Sequence, residues 1–233
     1  MYGKKRGRSA KPGFRAQKKK KLVPEVRVPR FRVLKDPHKS TVSDEMRVKL
    51  TYFDTVTINA GIGTTGSYQF SANNLFDPNV SGVGHQPVGY DQLMAIYQEY
   101  CVVGSTINVY FHNPNNDLVC LAGVFSSRIN TTSTDFREYV EGGNGVYVVL
   151  DTLYSGAGTK KVSYYLDMNE QAGHSVVSDE RYCGTTGAGP TEQRFYQIVV
   201  QPFDGSSDLA AVQVNVEITF DVILRDRTKL AIS

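Results

Sequence analysis

The feature that most constrains this chain lies near its end. Val212, Val214, Val216, Ile218, Phe220, Val222 and Leu224 fall on one parity, with Gln213, Asn215, Glu217, Thr219, Asp221, Ile223 and Arg225 on the other. A helix, repeating every ~3.6 residues, would scatter those seven apolar side chains around its axis; a strand gathers them on one face. At ~3.3 Å per residue the segment is a strand of roughly 43 Å, buried on one side and wet on the other. Its apolar face needs a second layer to cover it, so the body is expected to be a stack of sheets.

The same period recurs. Ile107, Val109 and Phe111 stand opposite Thr106, Asn108 and Tyr110, and Met46, Val48, Leu50, Tyr52, Val56 and Ile58 form a row interrupted by Asp54. Shorter or more evenly apolar candidates are 67–73, 117–126, 146–153, 160–166 and 194–203, making eight strands. Between them lie turn formers such as Gly61-Ile62-Gly63, Asn113-Pro114-Asn115-Asn116 and Gly142-Gly143-Asn144-Gly145. Two stretches have helical spacing: Tyr90–Tyr100, through Leu93, Ile96, Tyr97 and Tyr100, and Thr132–Val140, through Phe136, Tyr139 and Val140. Eight strands with some long connections suit a single all-β domain of two packed antiparallel sheets. A jelly roll fits better than an up-and-down barrel.

Charge divides the chain. The 233 residues carry a net charge of only +3, but residues 1–39 hold fifteen Lys/Arg against Glu25 and Asp36, a balance of +13. The remaining residues hold eleven bases and twenty-one acids, a balance of −10. A uniformly basic nucleic-acid-binding domain is thereby excluded. Residues 1–21 contain Lys4, Lys5, Arg6, Arg8, Lys11, Arg15, Lys18, Lys19, Lys20 and Lys21 with no acid and almost nothing apolar, so this stretch is expected to be disordered. From Leu22 to Lys39, Arg27, Arg30 and Arg32 alternate with apolar residues, while Pro24, Pro29 and Pro37 block a helix; this is an extended basic connector. The expected organisation is therefore an arm and connector over 1–39 and a β domain over 40–233.

A basic arm of this kind binds phosphates through counterion release, in a salt-dependent and sequence-indifferent way. Single-stranded nucleic acid is the expected partner. Lys4-Lys5 and Lys18-Lys19-Lys20-Lys21, twelve residues apart, also have the spacing of a bipartite nuclear-localisation signal, which implies host import receptors.

No catalytic chemistry emerges, and no enzyme is expected. His38, His85, His112 and His174 lack metal-ligand spacing, and there is no phosphate-binding GxxxxGK[ST] loop. No metal and no cofactor are expected. Asp77, or Asp179 with Glu180, is more simply a solvated acid than a cation ligand. Cys101, Cys120 and Cys183 are odd in number and widely spaced, so reduced thiols are expected, with Cys101 and Cys120 buried in strands. Asn79-Val80-Ser81 and Asn130-Thr131-Thr132 fit the glycosylation sequon, which matters only on a secreted chain. No run approaches the ~20 apolar residues of a membrane helix, and the basic start is followed by no apolar signal region.

One stretch brings a family into view. Phe76-Asp77-Pro78-Asn79-Val80-Ser81-Gly82-Val83-Gly84-His85-Gln86-Pro87-Val88-Gly89-Tyr90-Asp91-Gln92-Leu93, followed by Tyr97-Gln98-Glu99-Tyr100-Cys101-Val102-Val103-Gly104-Ser105-Thr106-Ile107, resembles the capsid proteins of small circular Rep-encoding single-stranded DNA viruses, the circovirus-like group. The arm here is Lys-rich where that group's is dominated by Arg. The resemblance implies one viral jelly roll per chain, sixty copies in a small icosahedral shell, and arms directed inward onto single-stranded viral DNA. It further implies residence in the virion, passage through the host nucleus and an unknown host-cell receptor. His85, Gln86, Pro87 and Asp91 are then structural: Pro87 sets a rigid bend, and Gln86 and Asp91 can satisfy loose backbone groups at a helix entry.

Other readings stay open at this point. A coat protein of a small positive-strand RNA virus also pairs a basic arm with a jelly roll. A cellular β-sandwich binding module with a nucleic-acid-tethering tail would share the composition. A cupin-type enzyme would need a cluster of metal ligands that four scattered histidines do not supply.

Overall fold

The computed structural model describes residues 43–156 and 158–228, so the arm and connector assigned to 1–39 lie outside the described residues. In chain order the elements are β1 (Met46–Ala60), β2 (Gly66–Ser71), α1 (Tyr90–Met94), β3 (Tyr97–His112), β4 (Cys120–Ser127), α2 (Phe136–Glu141), β5 (Gly145–Leu150), β6 (Thr159–Asp167), α3 (Met168–Ala172), β7 (Cys183–Thr185), β8 (Phe195–Pro202) and β9 (Leu209–Arg227). The expected eight strands are all present, and β7 is an addition.

They form two antiparallel sheets, ordered β1-β9-β3-β6 and β2-β8-β4-β5. With β7 set aside, each consecutive strand crosses to the other sheet except at the β4–β5 hairpin, the wrapped sequence of a jelly roll. β7 lengthens the first sheet by pairing with residues 99–101 of β3, and β6 pairs with residues 104–112 of the same strand.

The period-two rows become the two walls of one core. All seven apolar residues of the β9 row are buried, and Leu50, Tyr52, Val56 and Ile58 of β1 line the same side. Ile107, Val109 and Phe111 of β3 join them, facing Phe70, Ala122, Val124, Leu150, Tyr196, Ile198 and Val200 of the second sheet. At ~25 cal/mol per Å² of apolar surface, this interior is the main stabilising term of the domain.

The helix expected over Tyr90–Tyr100 is a correction. Only Tyr90–Met94 is helical, and from Tyr97 onward the chain is strand. Gly89, with φ 89°, lets the chain swing into the short turn of α1. Beyond it, β9 is long enough to pair with Tyr97, Glu99 and Tyr100 through Arg227, Arg225 and Leu224. A full backbone ladder outweighs a weak local i, i+3, i+4 pattern. The second expected helix is present as α2, begun by Asp135, whose carboxylate accepts from the Arg137 N–H at 3.0 Å.

Candidate nucleic-acid interface

Lys4, Lys5, Arg6, Arg8, Lys11, Arg15, Lys18, Lys19, Lys20, Lys21, Arg27, Arg30 and Arg32 all precede the described residues. In sequence the connector leads into Ser43–Glu45 and then β1, an edge strand of the first sheet. Tyr97 Oη donates to the Ser43 carbonyl at 3.0 Å, and Arg227 Nε donates to Asp44 at 3.4 Å, so the entry to β1 is tied to β3 and β9.

The outer faces of the two sheets differ. On the second sheet, the residues between β4 and β5 fold back as a cover. Phe136 and Tyr139 of α2 pack on Phe125 and Val199, with ring centroids 6.0 Å (Phe125–Phe136) and 5.3 Å (Phe125–Tyr139) apart. Gln197 Nε2 donates to the Thr131 carbonyl at 2.7 Å. Gly145 makes room, since a Cβ there would stand 2.4 Å from the Phe125 ring.

On the first sheet residues 176–179 lie over one end of the outer face, where Arg225 donates to the Val177 carbonyl, and no described residue covers the rows beyond it. Its same-face residues form rows across β1, β9, β3 and β6: Lys49–Asp221–Gly104–Asp167, Thr51–Thr219–Thr106–Tyr165, Phe53–Glu217–Asn108–Ser163 and Thr55–Asn215–Tyr110–Lys161. Arg47 forks onto Asp221 and, with the help of its charge, holds that carboxyl below the usual carboxylate range. Ser163 Oγ donates to Asn108 at 2.7 Å and Thr55 Oγ1 to Asn215 at 2.8 Å. Lys161 Nζ stands 5.1 Å from the Tyr110 ring centre.

The loop residues have structural surroundings. His85 is exposed, with its ring 4.7 Å from that of Tyr52. Pro87 is buried, and its carbonyl accepts from the Tyr90 N–H at 3.0 Å, fixing the bend into α1. The side chains of Gln86 and Asp91 make no hydrogen bond among the described residues; the helix entry is instead secured by the Gly89 carbonyl, which accepts from Leu93 N at 3.1 Å. The tyrosines of the same stretch are buried ties: Tyr90 Oη donates to the Thr185 carbonyl at 2.9 Å. Tyr100 Oη accepts from Leu75 N at 3.2 Å and donates to Asn74 at 3.2 Å.

Asp54, which interrupts the apolar row of β1, anchors this loop. It accepts from Tyr52 Oη at 2.7 Å and from Asn79 Nδ2 at 2.9 Å, while Ser81 Oγ donates to Asn79 Oδ1 at 2.7 Å. Asn79 is 2% exposed, so the sequon at this position is closed to a glycan in the folded chain. Sequence reasoning treated Asn79 and Asn113 only as sequon or turn residues. Asn113 is in fact buried, donating to the carbonyls of Leu118 and Asp151.

The cysteines require a second correction. Cys101 and Cys183 form a disulfide, their Cα atoms 4.4 Å apart, because the β3–β7 register sets them directly opposite. Cys120 remains a free thiol, pushed up to about 12 by burial. Asp179 is held well below the usual range by Arg181 and also meets His174 Nε2 at 3.0 Å. Among the described residues no group of three or more His, Cys, Asp or Glu could hold a metal ion, and no helix is long and apolar enough to cross a membrane.

No protein-family model matches this chain, and no curated protein does. Solved structures similar to it include Desmodium yellow mottle tymovirus, 9% identical, covering 84% of this chain and 96% of that one at a TM-score of 0.40. Mud crab tombus-like virus is 10% identical over 95% of this chain and 96% of that one, at 0.44. The decameric BFDV capsid protein is 12% identical over 78% and 99%, at 0.37. The jelly-roll assignment itself rests on the strand pairing above.

Proposed function

We propose that this chain is a viral capsid protein, sixty copies of which close into a small icosahedral shell around single-stranded DNA held by the basic arm. Jelly rolls serve many functions, so the fold alone does not carry this reading. The observation that carries it is the joining of a +13 segment to an acidic jelly roll within one chain. Sixty such arms bring about 780 positive charges, enough to balance on the order of a thousand nucleotides. That is the scale of a very small genome.

Self-assembly is supported by apolar side chains left at loop tips. Ile62, Tyr154 and Phe203 are 73%, 77% and 61% exposed. The loops bearing Ile62 and Phe203 meet at one end of the sandwich, where a Cβ on Gly63 would stand 3.8 Å from the Gly205 carbonyl. The loop bearing Tyr154 joins the same end through Leu153 N, which donates to the Asn115 carbonyl at 2.8 Å, while Phe203 N donates to the Val119 carbonyl at 2.9 Å. Exposed apolar tips gathered at one end are suited to burial between copies. The Lys4-Lys5 and Lys18-to-Lys21 clusters would direct the chain to the host nucleus through import receptors; the host-cell receptor would be met by the assembled virion.

The test is to purify assembled particles and digest their contents. Nuclease-protected DNA is expected, and cargo that resists DNase but yields to RNase overturns the DNA assignment. Deleting residues 1–21 should leave β structure intact and abolish cargo; a truncated chain that packages normally overturns the role of the arm.

A further inference from the structure

We infer that the open face of the first sheet is a second nucleic-acid site, a platform on which bases of the packaged strand stack, working beside the arm that neutralises phosphates. The inference rests on the packaging reading and adds a contact by the folded body.

Three successive same-face rows each offer one aromatic ring: Tyr110 on β3, Phe53 on β1 and Tyr165 on β6. Rows of one face are spaced about 7 Å apart along the strands. The rings are 37%, 53% and 58% exposed. In a folded domain such groups are normally turned inward; on the neighbouring sheet Phe125 is covered by α2, and Tyr147, alone among the described rings of that outer face, is left half-exposed, its ring edge-on to Phe136.

The Tyr165 ring lies in space that Gly104 leaves open. A Cβ on Gly104 would fall 2.6 Å from Tyr165 Oη and 3.2 Å from its Cε2 and Cζ. Only glycine at this position lets the ring lie down over β3 while more than half of the residue stays open to solvent. Around the rings stand Arg47, Lys49 and Lys161, with the amides and hydroxyls of Asn108, Asn215, Thr51, Thr106 and Thr219 between them. Three carboxylates share these rows: Asp221, neutralised by Arg47; Asp167, which accepts from the N–H groups of Asn169 and Glu170 at the start of α3; and Glu217, which lies between Phe53 and Asn108. Rings for base faces, cations for phosphates and small polar groups for base edges fit single-stranded nucleic acid, whose bases are free to stack on aromatic side chains. The continuity of the chain agrees with this, because the basic connector runs directly into β1, which carries Arg47, Lys49 and Phe53.

The experiment compares two probes on the full chain: a short oligothymidylate, and an abasic oligodeoxynucleotide of the same length, each labelled for fluorescence anisotropy. A stacking platform binds the base-bearing strand more tightly. Tyr165→Leu and Tyr110→Leu should each weaken that binding about 5- to 10-fold while leaving the abasic strand unaffected, and Tyr165→Phe should restore it. Glu217→Gln should tighten both probes modestly, by removing a charge that repels phosphate. Ultraviolet cross-linking of the wild-type complex should place nucleotide adducts on peptides containing Tyr110 or Tyr165. Equal affinity for the two probes, unchanged by the leucine variants, overturns the platform and leaves the arm standing. Failure of both probes to bind overturns the packaging reading and the platform together.

Discussion

The two sheets are built alike and finished differently. The second sheet closes its outer face with its own chain, laying Phe136 and Tyr139 over Phe125 and Val199 so that β8 is almost wholly buried. The first leaves most of its outer face open and instead extends one end with β7, pinned by the Cys101–Cys183 disulfide beside residues 176–179. The lesson is that covering a sheet and leaving it open are separate choices within one sandwich. The open face carries side chains that the core does not need, and those are the ones available for function.

The disulfide gives the largest expected way to break this contrast. It closes a loop of 82 residues, a constraint on the unfolded chain of about 4 kcal/mol on the loop-entropy model. Cys101→Ser should therefore lower stability in chemical denaturation by roughly that amount without reductant, and wild type and variant should converge once a thiol reductant is added. A gap that survives reduction would assign the loss to packing around Cys101 instead.

A smaller effect separates the two faces directly. Phe136→Ala uncovers the second sheet and should cost about 3 kcal/mol, whereas Phe53→Ala on the open face should cost about 1 kcal/mol or less, both measured by urea denaturation. Equal costs would mean that the open face is packed against something in the folded chain.

The smallest effect is electrostatic and belongs to the open face. Asp221 titrates below the usual range because Arg47 holds its charged form, so its contribution is complete above about pH 4. It is lost as the pH falls through the folded-state value, since the unfolded carboxyl takes up its proton first. Asp179, and Asp204 at about 2, act in the same sense. Melting temperatures should fall steadily below pH 4, and Asp221→Asn should flatten that slope while costing about 1 kcal/mol or less at pH 7.

The same contrast explains what could be read in advance. β9 and β1 have one dry and one wet face, so their alternation is plain in the sequence. β8 is dry on both sides and appears only as an evenly apolar run. Residues 97–100 read as helix because Tyr97 and Tyr100 satisfy a helical spacing, and nothing local reveals that β9 extends far enough to pair with them. β7 is three residues long, and Cys183 meets Cys101 only through the register of distant segments. No sequence signal places Phe53, Tyr110 and Tyr165 on one face until the register of four strands is known. Gly104 was legible as part of a motif, but its role as the bed of Tyr165 depends on β6 lying beside β3.

One consequence concerns timing. β9, the last of the nine strands to leave the ribosome, lies between β1 and β3 as a central member of the first sheet. The register that joins Met46 to Leu224 spans nearly the whole described chain, so the sandwich cannot close before β9 has been made. Folding that depends on such distant pairing is slow, and a chain interrupted before β9 leaves β1 and β3 as unmatched edges. Such a fragment cannot form the inner wall of the core, so the position of this one strand makes completion of the fold depend on translation through β9.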